Sequence, residues 1–180
     1  KAALAPFRND LCDYLEPLQL GAGTKNGTSS ITLGTEMLLR TNPDFAVLQT
    51  DFSNAFQHLC RYKAMLAVLA IEPLAPLFRL VFNKLTTKSR VIDGLHRDAG
   101  PLENLTQELG IPQGGVLSPM IWCAAGQPLL DHANAILKAH DAKATVKGIM
   151  DDATLIGPQQ ALAEAKNALV DLLPCIGASF

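Results

Sequence analysis

The chain has 180 residues, 48% of them hydrophobic, enough for one globular domain with a sizeable core. Its 15 Lys and Arg residues against 17 acidic ones leave a net charge of −2, which excludes the overall basic field that drives tight non-specific nucleic-acid binding. The four cysteines are dispersed (Cys12, Cys60, Cys123, Cys175) with no zinc spacing, and no apolar run approaches the ~20 residues of a membrane span.

Reduced, buried thiols fit an intracellular protein of the nucleus or the cytoplasm. The first residues, Lys1-Ala2-Ala3-Leu4, hold neither a secretory core nor an initiating methionine, so an excised or incomplete segment is expected. Leu4, Phe7, Leu11 and Leu15 share one helical face, and Pro17 stops that helix. The glycine cluster Gly21 to Gly27 fits neither the dinucleotide nor the P-loop spacing and reads as a mobile connector. A helix from about Ser29 to Arg40 follows, then a short apolar strand from Phe45 to Phe52.

Ser53 or Asn54 can cap the next helix, on which Leu59, Tyr62, Leu66 and Leu69 form a stripe. Another amphipathic helix carries Leu74, Leu77, Phe78, Val81 and Phe82. Thr86 to Ile92 reads as a strand, Asp93 to Glu103 as a loop and Leu105 to Ile111 as a strand. Basic residues gather here (Lys84, Lys88, Arg90, His96, Arg97), open between a solvated edge and a contact for an anionic partner. The turn Pro112-Gln113-Gly114-Gly115 then leads into Ser118-Pro119, a capping hydroxyl followed by proline at a helix start, with a bend expected at Pro128. Thr145 to Gly157 reads as a hairpin and Gln159 to Leu173 as a final helix. Helices and strands alternate irregularly, which predicts an α+β layer rather than a doubly wound sheet.

The chemistry concentrates at Gly148-Ile149-Met150-Asp151-Asp152-Ala153-Thr154, adjacent acids bracketed by β-forming residues. Asp51 closes a separate apolar strand. Two accounts fit these acids. Asp152 can cap a turn and Asp51 a helix. Alternatively, folding brings Asp51 and Asp151 together to hold Mg²⁺, which takes oxygen ligands and keeps waters. Pro112-Gln113-Gly114-Gly115 adds paired glycines that let a backbone lie against a flat ligand, beside an amide able to donate and accept.

Taken in order, these segments resemble the reverse transcriptase family, in particular that of non-LTR-type retroelements. Gln49-Thr50-Asp51-Phe52-Ser53-Asn54-Ala55-Phe56 resembles its first catalytic motif, and Gly110 to Pro119 its Gln-Gly motif. Ile149-Met150-Asp151-Asp152 resembles its Tyr-x-Asp-Asp hairpin, with Ile149 in place of the tyrosine. Pro17-Leu18-Gln19-Leu20-Gly21-Ala22-Gly23 is similar to a segment that precedes the first motif.

The resemblance implies a polymerase palm, an antiparallel sheet with helices packed on one face, plus part of the helical fingers. Residues 1–44 would be partial fingers and 45–180 the palm with inserted fingers elements, the thumb and the lysine-bearing motif being absent. It implies an RNA-directed DNA polymerase acting through two Mg²⁺ ions, with Mn²⁺ as a substitute. Asp51, Asp151 and the Phe52 carbonyl would be metal ligands, and Asp152 a lesser carboxylate. Phe56 would sit under the sugar and exclude a 2′-hydroxyl, while Gln113 and Gly114 would line the nascent base pair. The implied partners are an RNA or DNA template with primer, dNTPs and the remainder of a parent polyprotein, with no membrane. A catalytically dead relic, or a palm fold co-opted as an interaction module, is the alternative. A metal-dependent hydrolase using the same acids is disfavoured, because His58, His132 and His140 show no ligand spacing with them.

Overall fold

A computed structural model describes residues 2–87, 89–90, 106–107 and 109–179. A 3-10 helix, Ala2–Phe7, runs into α1 (Arg8–Leu15), which buries Leu11 and Leu15 and ends where Glu16 turns extended ahead of Pro17. α2 (Gly27–Thr41) precedes β1 (Phe45–Asp51). Next come α3 (Ala55–His58), α4 (Arg61–Ala70), a 3-10 turn (Glu72–Leu77) and α5 (Phe78–Thr86). The two-residue strands β2 (Ser89–Arg90) and β3 (Thr106–Gln107) pair antiparallel. α6 (Ser118–His140), β4 (Thr145–Ile149), β5 (Asp152–Pro158) and α7 (Gln159–Ile176) complete the chain.

The main sheet has the order β1-β5-β4 and is antiparallel throughout. Directly opposed residues share a face, so register sorts the side chains. Thr50 opposes Ala153 and Leu48 opposes Leu155, on the face covered by α6 and α7. Leu137 of α6 reaches Gly157 on that face, where a Cβ would meet it, and Leu130 reaches Gly148 in the same way. Asp51 opposes Asp152 and Gln49 opposes Thr154 on the other face. There α2 runs along the face, its first turns (Thr28, Ile31, Thr32) bordering a cleft at the acidic end and its later turns lying near Thr145, Lys147 and Ile156.

α6 is the spine of the core. Every residue from Met120 to Gln127 is buried, which is why this stretch is apolar all round rather than amphipathic. Leu15, Leu59, Leu74, Ile111, Leu155, Ile156, Leu169 and Leu173 pack into the same core. Each such side chain contributes about 1.5–3 kcal/mol by leaving water. The α+β expectation holds, with a three-stranded antiparallel sheet backed by its helices.

Several local expectations are corrected. The helix after β1 breaks at Leu59–Cys60, because the Cys60 amide donates to the Ile176 carbonyl at 2.7 Å. The buried face of α4 is Ala64 and Val68, whereas Tyr62, Leu66 and Leu69 are 62%, 41% and 47% exposed. Small residues let α4 lie close to α6, and the bulky stripe faces out. Neither Ser53 nor Asn54 caps α3: Asn54 adopts a left-handed conformation (φ 47°) with no side-chain cap bond.

Thr86 closes α5 rather than opening a strand. Within the proposed strand Leu105 to Ile111, only Thr106–Gln107 pairs among the described residues. The loop Asp93 to Glu103, with His96 and Arg97, lies outside the described residues, as does Lys88. Ser118 begins α6 as expected, but its hydroxyl donates to the Pro112 carbonyl at 2.6 Å instead of capping the helix. That bond closes the Pro112–Gly115 turn onto the helix it precedes.

Candidate active site

Asp51 is the last residue of β1, and Asp152 the first of β5, and the two stand directly opposite one another. Asp152 also pairs with Ile149 of β4. The hairpin tip is therefore Met150-Asp151 alone, with Met150 in the left-handed region (φ 55°). Of the two adjacent acids only Asp151 lies in the turn, and Asp152 belongs to β5. The Asp151 carbonyl accepts from the Phe52 amide at 3.3 Å, which locks the tip to the residue following Asp51.

The carboxylates feel one another. Burial, and then the charges of Asp151 and Asp51, raise the Asp152 carboxyl above its ordinary value. Asp151 acts in a second direction as well: the buried Cys123 thiol of α6 is pushed up to about 12, mostly by burial and further by Asp151. Asp151 thus acts both on Asp152 and on the buried thiol of α6. Like charges opposed across a ladder destabilise it.

Asp51 and Asp152 line a cleft of about 490 Å³ on the open face. Thr28, Ile31 and Thr32 of α2 form its opposite wall, and Gln49, Thr50, Ile149, Ala153 and Thr154 complete it. Asp151 is not part of that lining. Among the described residues no group of three or more His, Cys, Asp or Glu side chains forms a ready-made metal cage. The donor set instead suits Mg²⁺, which takes a few carboxylates and draws its remaining oxygens from water and a phosphate-bearing ligand.

Phe52 and Phe56 are placed by one aromatic residue. Their ring centroids lie 6.0 and 5.8 Å from that of Trp122, in tilted packing. Phe52 is buried and Phe56 half-buried, so the ring of Phe56 is supported from below with part of it facing out. The Phe56 carbonyl accepts from the Ile111 amide at 2.7 Å, which stitches α3 to the Gln-Gly segment. Gln113 is exposed and accepts from the Gln57 amide at 3.1 Å. Gly114 has a φ of +80° and open space where a Cβ would stand, as a bare backbone platform requires. Gln113 and Gly114 reach the acidic site through α3 and do not line the cleft.

Three functional contributors were missed from sequence. Trp122, the one tryptophan in the chain, supports both phenylalanines. Arg61 clamps the approach to the Gln-Gly turn, donating to the carbonyls of Gly110 (2.7 Å), Leu109 (3.3 Å) and Leu85 (2.9 Å). Gln19 is buried against the hairpin, and the segment Leu18–Leu20 bonds to both backbone groups of Gly148. Only Gln19 had a signal, as part of the Pro17–Gly23 similarity.

No protein-family model and no curated protein matches this sequence. Solved structures do. Apo telomerase from Candida tropicalis truncated from the C-terminal domain superposes with a TM-score of 0.66 at 14% identity, over 97% of this chain and 38% of that one. Apo telomerase from Candida tropicalis gives 0.66 at 12% identity, covering 98% and 35%. This chain has a telomerase-like fold. Telomerase from Candida albicans in complex with a fragment of telomeric RNA gives 0.58 at 13% identity, covering 97% and 33%. The chain thus spans little more than a third of these telomerases. Telomerase is a reverse-transcriptase-related polymerase, so the likeness accords with the expected reverse-transcriptase-like fold.

Proposed function

We propose that this chain is the palm and part of the fingers of an RNA-directed DNA polymerase from a non-LTR-type retroelement. It would transfer a nucleotide from a dNTP to a primer 3′-hydroxyl on an RNA or DNA template. The observation that carries the reading is the Asp51–Asp152 pairing, with Asp151 in the adjoining β4–β5 turn, on a telomerase-like fold.

Asp51 and Asp151, with the Phe52 carbonyl, are the proposed holders of two Mg²⁺ ions, and Asp152 adds negative potential beside them. When bound, Mg²⁺ would acidify the primer hydroxyl and neutralise the departing pyrophosphate. The chain's own work is positional. β1 and the hairpin fix the acids, and a rigid pair of strands holds a reacting geometry better than loops do. Phe56, propped on Trp122, presents a ring edge against which a ribose 2′-hydroxyl would clash. Gln113, held by Gln57, and the bare backbone at Gly114 offer a flat surface to a base pair. Base identity would come from the template, so the protein reads shape and backbone.

The test is primer extension by the parent protein with Mg²⁺. Asp51→Asn and Asp151→Asn should each abolish extension while leaving the circular dichroism spectrum unchanged. Extension that survives Asp151→Asn would remove the assignment.

A further inference from the structure

The tip of the acidic hairpin is held by a residue 131 positions upstream. Gln19 is 1% exposed, and its amide closes both backbone groups of Met150. Its Nε2 donates to the Met150 carbonyl at 3.0 Å, and its Oε1 accepts from the Met150 amide at 2.9 Å. The same Oε1 accepts from the Gly21 amide at 2.9 Å, which fixes the glutamine's own orientation.

The backbone around Gln19 behaves as an extra edge strand. Gln19 forms a parallel bridge with Gly148, the Leu20 amide donates to the Gly148 carbonyl at 2.8 Å, and the Gly148 amide donates to the Leu18 carbonyl at 2.7 Å. Two glycines make the approach close enough. A Cβ on Gly21 would stand 2.3 Å from the Met150 nitrogen, and one on Gly148 would stand 2.8 Å from Gln19 Nε2. Leu18 to Gly21 thus form a strap against the hairpin, and the glycine cluster expected to be a mobile connector is tied to it at its first residue, Gly21.

Met150 needs such support. Its φ of 55° is left-handed, a conformation that unbranched L-residues adopt only at a cost. The Gln19 amide satisfies its N–H and C=O together in that conformation. Asp151 follows directly, so any change in the Met150 backbone swings the Asp151 carboxylate.

We propose that Gln19 is a positioning residue for the acidic site: its side-chain amide holds Met150 left-handed and so sets where Asp151 points. This rests on the polymerase reading for its effect on catalysis, and on geometry alone for its effect on the hairpin. Misplacing a reacting group by about 1 Å costs on the order of 100-fold in rate.

The experiment compares Gln19→Met and Gln19→Glu in the parent protein. The first keeps the volume and removes every hydrogen bond. The second keeps the acceptor and turns an oxygen towards the Met150 carbonyl. Amide exchange at Met150 and single-nucleotide kinetics are measured on both, with Asp151→Asn as the inactive reference.

The expected result is exchange at Met150 faster by tenfold or more, and kcat lower by about tenfold or more. KM for dNTP and primer–template affinity should stay within about twofold. Should Gln19→Met fail to fold, Gly21→Ala presses on both the Met150 nitrogen and Gln19 Oε1, forcing the two apart, and should give the same kcat-specific loss. Unchanged exchange, or a loss shared equally between kcat and primer–template affinity, would overturn the proposal. If the wild-type parent extends no primer, the polymerase reading fails, and exchange at Met150 alone decides whether Gln19 holds the tip.

Discussion

Asp152, rather than Asp151, is the residue that faces Asp51 across the β1–β5 ladder. Side-chain alternation places both on the open face, where each is close enough for Asp51 to raise the Asp152 carboxyl. Asp51, Asp151 and Asp152 thus gather negative charge at one end of a small sheet.

That repulsion predicts a stabilising substitution. Without divalent cation, Asp152→Asn should melt on the order of 1–2 °C above wild type near pH 7. The sign follows from the raised folded-state value. A carboxyl that protonates more readily in the folded chain favours folding most below its ordinary value of 3.8, and that contribution is lost as pH rises through its elevated one. The advantage of Asn should therefore shrink as pH falls towards 4, and shrink again when Mg²⁺ is added at pH 7. Thermal melts in EDTA across this range check it. An advantage independent of both pH and Mg²⁺ would mean the acids do not interact.

Trp122 carries two of the proposed substrate-facing residues on one ring. Trp122→Ala should cost about 3–5 kcal/mol, read from denaturation followed by circular dichroism. The wild-type fluorescence should be that of a buried indole and shift red in one cooperative step, since Trp122 is the chain's single tryptophan. Trp122→Phe should retain the fold and loosen Phe56. In extension assays it should relax discrimination against ribonucleotides more than it lowers the rate with dNTPs.

The fold class was legible because its signals are local. Short apolar strands, the Asp-Asp hairpin and Ser118-Pro119 each announce themselves within a few residues. What was not legible depended on contacts between distant segments. α4 buries Ala64 and Val68 because α6 lies close against it, and nothing in the periodicity marks small residues as the inner face. Gly21, read as the start of a glycine-rich connector, turns out with Gly148 to be where the strap at Gln19 and the hairpin backbone touch. At the site, the motifs named the acids, but register decided which one opposes Asp51. A hairpin with Met150-Asp151 at its tip differs by one residue from one with Asp151-Asp152 there, and a one-residue shift exchanges faces.

Two glycines should respond oppositely to alanine. Gly110 has a φ of +67°, and a Cβ there would lie 2.2 Å from the Gln57 carbonyl oxygen, a backbone atom that cannot swing aside. Gly110→Ala should cost about 2 kcal/mol or more and weaken the Arg61 clamp that leads to Gln113. Gly34 lies within α2, exposed, with nothing within 4 Å of its Cβ position. Gly34→Ala should stabilise by about 0.4–1 kcal/mol through the lost freedom of the unfolded chain. Urea titrations of the two variants against wild type separate the effects. A destabilising Gly34→Ala would show that the groove between α2 and the sheet, which Gly34 borders, has no room for a methyl group.

The cysteines give a graded chemical probe of the site's underside. Cys123 is fully buried beneath the hairpin with its thiol pushed up to about 12 by burial and by Asp151, so the reactive thiolate is scarce near pH 8. Cys175 is exposed near the end of α7, while Cys12 is half-buried beside Gly23 with its thiol raised by burial and by Glu16. Alkylation under native conditions should label Cys175 first and Cys12 more slowly, leaving Cys123 untouched until denaturant is added. Because Cys123 lies under Asp151, its protection reports on the hairpin. Gln19→Met should speed Cys123 labelling without changing the rate at Cys175, whereas global loosening would speed both. Mass spectrometry of the labelled peptides distinguishes the two, and equal acceleration at both thiols would mean that loss of the Gln19 contacts loosens the whole fold and not the tip alone.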